Sequence, residues 1–221
     1  MKNAAKLLVL PMLLGSLVIA STTALAKDAS GMVQQKKSGS EMIYAVPETN
    51  FSKYDSVVFL PSEISFKKNW QRSINRNASS INSRVTDEKM DIMKKDMAAL
   101  FEETFKEEFA NKGYNVVNQL SPTTLVIRPA IADLDIAVPI VKSSFMSEQK
   151  IRYAGSATIY LEIFDGMTKK PIARVAENRF LGEGASFNRA SATQNRADAK
   201  YTLKSWAETL TSFLKETKQS S

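Results

Sequence analysis

The chain has 221 residues, 43% hydrophobic and 24% charged, which is ordinary for one globular domain, and a formal net charge of +7. It contains no Cys, which excludes disulfides, thiolate nucleophiles, zinc ribbons and a lipidated-cysteine anchor; it contains no His, which excludes His-based triads and imidazole metal sites. Its eight Gly are scattered and form no phosphate-cradling loop, so neither an enzyme nor a cofactor is expected.

Residues 1–26 read as a secretory signal peptide. Lys2 and Lys6 form the positive start, Leu7 to Ala20 is an apolar run too short to span a bilayer, and Ala24-Leu25-Ala26 supplies a small-residue cleavage site before Lys27. No later segment is continuously apolar over 18 residues, so no transmembrane span is expected in the mature chain. Residues 27–50, with Gln34-Gln35-Lys36-Lys37 and Ser38-Gly39-Ser40, read as a flexible leader. Residues 51–217 read as a single domain without internal repeats.

Within that domain, Ser56 to Leu60 is a short apolar run closed by Pro61, which predicts a buried strand. A long helix follows after Thr86, a good N-cap with Asp87 and Glu88 in the first turn, and ends before Gly113. Its periodic apolar residues are Met90, Met93, Met97, Leu100, Phe101, Phe105 and Phe109. Strands are predicted at Tyr114 to Val117, Thr124 to Leu134 and Gly155 to Phe164, and Pro171 to Phe180 returns as a hairpin partner after the turn at Asp165-Gly166. Pro129 argues that the second of these runs is an edge strand or carries a bulge. A C-terminal amphipathic helix presents Ala199, Leu203, Trp206, Leu210 and Phe213. The expected fold is α+β, a mainly antiparallel sheet with the long helix and the C-terminal helix packed on one face.

The most distinctive polar feature is the stretch from Ile64 to Thr86, which holds Lys67, Lys68, Arg72, Arg76 and Arg84 and no acid, with Phe66 and Trp70 among them. In a helix, Lys68, Arg72 and Arg76 would share one side, so the stretch is a candidate patch for an anionic ligand or partner; the plainer reading is a solvated loop. Charge is also segregated. Asp87 to Glu108 carries eight acids against four bases, and Gly166 to Lys204 eight bases against three acids, so these surfaces either meet partners or attract each other. Met90, Met93 and Met97 read as core rather than as soft metal ligands. Asp133 and Asp135 near a strand end offer a carboxylate pair, but too few other oxygen ligands accompany them for a cation. Glu162 is expected on the face opposite the core, Gly182-Glu183-Gly184 reads as a loop, and Ser143-Ser144 carries nothing specific.

The layout resembles a family of uncharacterised bacterial envelope proteins, many of them lipoproteins, known as a domain of unknown function. The residues that carry the resemblance are Tyr44, Pro47, Phe51-Ser52-Lys53-Tyr54-Asp55, Val57-Val58-Phe59-Leu60-Pro61, Gly113-Tyr114, Gly155-Ser156-Ala157-Thr158-Ile159, Phe164-Asp165 and the helix around Trp206. Two departures stand out. The family's lipidated cysteine is missing, and its hairpin turn, often Asp-x-x-Thr-Gly, here reads Asp165-Gly166-Met167-Thr168-Lys169-Lys170. The resemblance implies a Gram-negative envelope location, free in the periplasm rather than lipid-anchored, and brings no catalytic residues with it.

The expected function is therefore a periplasmic, non-enzymatic binding or accessory protein. It would engage an envelope protein complex or an anionic envelope component, but not nucleic acid. The patch Lys67, Lys68, Trp70, Arg72, Arg76 and Arg84 is one contact, and pairing of a peptide strand along the Pro129 strand is another. The alternatives are a carrier of a lipid or small apolar molecule, with Met90, Met97, Phe101 and Phe105 lining a cavity between helix and sheet, and a hydrolase using Asp133 and Asp135.

Overall fold

The computed structural model describes residues 31–78, 80–136, 155–181 and 192–219. The signal segment 1–26, Ser143-Ser144 and Gly182-Glu183-Gly184 lie outside the described residues. In chain order the strands are β1 (Val33–Ser38), β2 (Glu41–Ala45), β3 (Ser56–Phe59), β4 (Glu63–Phe66), β5 (Asn115–Val116), β6 (Thr124–Ile136), β7 (Gly155–Asp165) and β8 (Pro171–Leu181). The helices are α1 (Trp70–Arg76), α2 (Asp87–Asn111) and α3 (Ala192–Gln219).

The strands form one sheet in the order β1-β2-β8-β7-β6-β3-β5, and β4 pairs with β6 beyond the end of β3. The four pairings from β1 to β6 are antiparallel, whereas β3 and β4 run parallel to β6 and β5 runs parallel to β3. The fold is α+β, as expected from the sequence: a mixed, mostly antiparallel sheet with α2 and α3 packed together over it.

Strand alternation sorts the sheet into two faces. Ile43 and Ala45 of β2, Ala173 and Val175 of β8, Ala157, Ile159, Leu161 and Ile163 of β7, and Leu125, Ile127 and Ile131 of β6 are all buried beneath the helices. Helix α2 starts where its cap predicts, with the Thr86 hydroxyl accepting from the Lys89 amide at 3.3 Å. It stops before Gly113, whose φ of +85° suits glycine. Only its second half reaches the core: Phe101 and Phe105 stack with ring centroids 4.0 Å apart, and Phe59 meets Phe109 edge-on at 5.1 Å. Leu203, Trp206, Ala207, Leu210 and Leu214 of α3 complete the layer, and Phe213 packs edge-on against Phe51.

The segregated charges meet across the two helices. Glu103 pairs with Arg196 at 3.5 Å and with Lys200 at 3.2 Å, Glu107 pairs with Lys200 at 3.3 Å, and the buried Glu108 pairs with Lys204 at 3.3 Å. Positions rise together along both helices, so α2 and α3 run in the same direction. Part of the acidic surface and part of the basic one therefore attract each other.

Two sequence expectations are corrected. Residues 27–50 do not read through as a flexible leader, because Val33 to Ala45 folds into the β1–β2 hairpin and β2 joins β8 from Glu41 to Ala45. Of the two readings of the Pro129 strand, an edge or a bulge, the edge is excluded, because β6 lies between β7 on one side and β3 with β4 on the other, while β6 does carry a bulge between Ala132 and Asp135. The Ile127 carbonyl accepts from the Leu60 amide at 2.9 Å, so Pro129, two residues on, turns its hydrogen-free nitrogen to the same side. That side is the break between the β3 pairing, which ends at Ile127, and the β4 pairing, which begins at Ala130. No ladder bond is lost, and strand addition along β6 has no free edge to use.

Candidate functional site

The basic stretch is ordered by its own apolar and amide residues. Phe66, at the end of β4, stacks on Trp70 with centroids 4.3 Å apart and planes 21° apart. Trp70 is 4% exposed, and its indole N–H donates to the Ile136 carbonyl at 3.2 Å, fixing the start of α1 to the end of β6. Between them the chain turns tightly, with the Trp70 amide bonded to the Lys67 carbonyl and Asn69 at a φ of +62°. On the far side of α1, Asn75 clamps both backbone groups of Val85, donating to its carbonyl at 2.8 Å and accepting from its amide at 2.7 Å. Gln71 bonds the same carbonyl and the Asp87 carboxylate, so α1 is tied to the start of α2.

These ties create a cleft of about 470 Å³ between the β4–α1 segment and α2. Its lining contributes Lys67, Lys68, Arg72 and Lys94 as cations, Ile64, Phe66, Trp70 and Met90 as apolar wall, and no acidic residue. The sequence patch is thus brought together in part. Lys67, Lys68, Trp70 and Arg72 line the cleft, whereas Arg76 and Arg84 do not. Helix α1 begins only at Trp70, so Lys68 sits in the turn before it and does not share a helical stripe with Arg72 and Arg76. Lys94, supplied by α2, was not part of the sequence patch. Its signal was available, since Met90 and Lys94 are one helical turn apart and share a face.

The cations differ in their freedom. Lys67 donates to the Asp135 carboxylate at 2.8 Å, which raises its pKa. Lys94 forms an exposed pair with Asp91 at 3.3 Å, a contact of little energetic weight. Lys68 and Arg72 are exposed and bond no other group among the described residues. They hold their charge toward solvent at the mouth of a partly apolar cleft, an arrangement that attracts an anion bearing some apolar surface.

The other candidate residues are placed differently. Asp133 is exposed at a bulge in β6, with a φ of +51°, while the Asp135 carboxylate is engaged by Lys67, whose charge Asp133 also feels. Glu162 lies on the sheet face away from the helices, between Arg128 and Arg174, which stand opposite it on β6 and β8. Phe101 and Phe105 are core rings, and of the residues expected to line a carrier cavity only Met90 opens onto the cleft.

Two of the residues that carry the family resemblance, Lys53 and Tyr54, meet a third, Asp165, which is 6% exposed at the end of β7. Its carboxylate accepts from the Tyr54 hydroxyl at 2.7 Å, from Lys53 at 3.0 Å, and from the amides of Met167 and Thr168 at 3.1 and 2.7 Å. The Thr168 amide is the main reason its pKa falls well below the usual carboxylate range, and burial pushes the Tyr54 phenol up to about 12. Each charge-bearing group has its partner, so this cluster fastens the β7–β8 turn to the segment before β3. Lys169 occupies a φ of +55° in that turn, at the position where the resembling family often has Gly.

Comparison with solved structures finds distant likenesses. PelC from Paraburkholderia phytofirmans, solved as a dodecamer, is 7% identical with a TM-score of 0.33, covering 74% of this chain and 95% of that one. A minor lipoprotein from Acinetobacter baumannii is 12% identical with a TM-score of 0.32, covering 72% and 90%. A DUF4136 family protein from Bacteroides thetaiotaomicron is 10% identical with a TM-score of 0.33, covering 80% and 98%. Likenesses this distant bear on neither function nor assembly. No curated protein matches the sequence. The family described as "Protein of unknown function (DUF3313)" matches residues 21–210, nearly the whole length, and the chain belongs to it.

Proposed function

We propose that this is a non-enzymatic binding protein of the periplasm that engages an anionic component of the cell envelope through the β4–α1–α2 cleft. The observation that carries the reading is the cleft itself, where four cations and no acid surround an apolar wall. Two of those cations, Lys68 and Arg72, have no competing partner among the described residues. The signal-like segment at 1–26 supports export, and no helix among the described residues is long and apolar enough to cross a membrane. The cleft is open to solvent and carries no nucleophile held by a base, so its residues suit holding a ligand rather than transforming it.

The test is co-sedimentation of the mature protein with vesicles containing phosphatidylglycerol, against vesicles of neutral lipid, at low and physiological salt. The wild type should bind the anionic vesicles and release them as salt rises. K68E/R72E should lose at least about tenfold in affinity, the scale expected when two surface charges of roughly 1 kcal/mol each are inverted. An R76E control, outside the cleft, should lose much less. Equal losses from R76E and from K68E/R72E would replace the cleft with a general surface charge, and no binding to any anionic vesicle would remove the lipid form of the reading.

A further inference from the structure

A buried pair of acids lies far from the cleft, at the seam between the N-terminal hairpin and the sheet. Glu41 of β2 and Glu177 of β8 are direct cross-strand partners, 7% and 5% exposed, on the face covered by the helices. Residues directly opposed in this way have Cβ atoms about 4.5–5.5 Å apart. Each acid has one outer cation: Lys36 of β1 reaches one oxygen of Glu41 at 3.3 Å, and Arg179 of β8 pairs with one oxygen of Glu177. The second oxygen of each, Oε1 of Glu41 and Oε2 of Glu177, is buried without any hydrogen-bond partner. Helix α3 presents Ser205 and Thr209, which hold Arg179, and β7 presents the apolar Ile159 beside Glu177.

Two ionised carboxylates here would leave two buried oxygens without donors and two like charges side by side, whereas one proton relieves both. We propose that the folded protein keeps one proton on the Glu41–Glu177 pair, and that its release to solvent loosens the attachment of the β1–β2 hairpin to β8. Burial, and then the neighbouring Glu41 charge, push the Glu177 carboxyl above its ordinary value, in keeping with that placement. The sign follows from the direction. A carboxyl raised by folding contributes stability that is complete below the unfolded value of about 4.5 and is lost as pH rises through the folded value.

Amide hydrogen exchange on the full chain between about pH 5 and about pH 8, corrected for intrinsic rates, reads this directly. Protection at Glu41–Ala45 should fall with rising pH by up to about tenfold per unit, the limit for one proton, while β6 and β7 keep theirs. E41Q and E177Q, each supplying a neutral amide in place of the protonated acid, should abolish that dependence. If protection of β2 tracks that of β6, or if E177Q keeps the wild-type dependence, the pair holds no proton of consequence. Infrared spectroscopy of the unaltered protein gives a second reading that needs no variant. A carboxylic-acid carbonyl band should persist at about pH 6, where ordinary side-chain carboxyls are ionised, and its absence would overturn the proposal.

Discussion

Replacing Asp165 by Asn changes one atom at the point where Lys53, Tyr54 and the β7–β8 turn meet. Asn keeps a carbonyl oxygen for the Met167 and Thr168 amides but presents an NH₂ where Oδ2 accepted from Tyr54 and Lys53. A hydrogen bond to a buried charged acceptor contributes about 1.5–3 kcal/mol and a neutral one about 0.5–1.5 kcal/mol, so weakening the Tyr54 bond costs about 1 kcal/mol. The bond to the half-exposed Lys53 adds less than about 1 kcal/mol, and the two turn amides lose their ionic acceptor. The total is about 2–3 kcal/mol at pH 7, read as a lower midpoint in urea unfolding with an unchanged slope. The loss should depend on pH in a defined direction. Folding depresses the Asp165 pKa, so the wild-type advantage is complete above the unfolded value near 3.8 and disappears as pH falls from there through the folded value. A D165N variant within about 0.5 kcal/mol of wild type at pH 7, or a difference that persists unchanged to about pH 2, would refute the role assigned to this carboxylate.

Other expectations are local. Lys169 holds a φ of +55°, so K169G should stabilise the protein by about 0.5–1 kcal/mol in the same assay; a destabilised variant would contradict strain at that position. Phe105, fully buried between Phe101 and Phe59, should cost about 3–5 kcal/mol when changed to Ala. Replacing Lys204 by Met strips the buried Glu108 of its ion-pair partner and should cost about 1–3 kcal/mol at pH 7. Unchanged thermal unfolding of K204M would mean that the Lys204–Glu108 pair contributes nothing.

Much of the fold was legible because its signals are redundant. The Thr86 cap, the acids at Asp87 and Glu88, the phenylalanine stripe and Gly113 all agree on α2, and alternation in Ala157, Ile159, Leu161 and Ile163 marks β7. The β1–β2 hairpin escaped because Val33-Gln34-Gln35-Lys36-Lys37-Ser38 is an edge strand whose alternation is broken by an irregularity between Gln34 and Lys36. Pro129 pointed to an edge because a sequence does not show that two successive strands share one side of β6. The candidate site was half legible. Clustered Lys and Arg around Trp70 were visible, but the inclusion of Lys94 and the exclusion of Arg76 and Arg84 depend on where α1 begins and how α2 passes it. The Glu41–Glu177 pair was hidden for a different reason: Glu177 continues the buried row of Ala173 and Val175, yet its facing partner lies in a segment read as a leader.

The most direct measurement is amide chemical-shift mapping of the mature protein titrated with a soluble, short-chain phosphatidylglycerol below its micellar concentration. The account predicts saturable shifts confined to Ile64–Arg72 and Met90–Lys94, lost in K68E/R72E. Shifts centred instead on the open sheet face around Tyr160 and Arg174, or none that saturate, would contradict the cleft as the binding site.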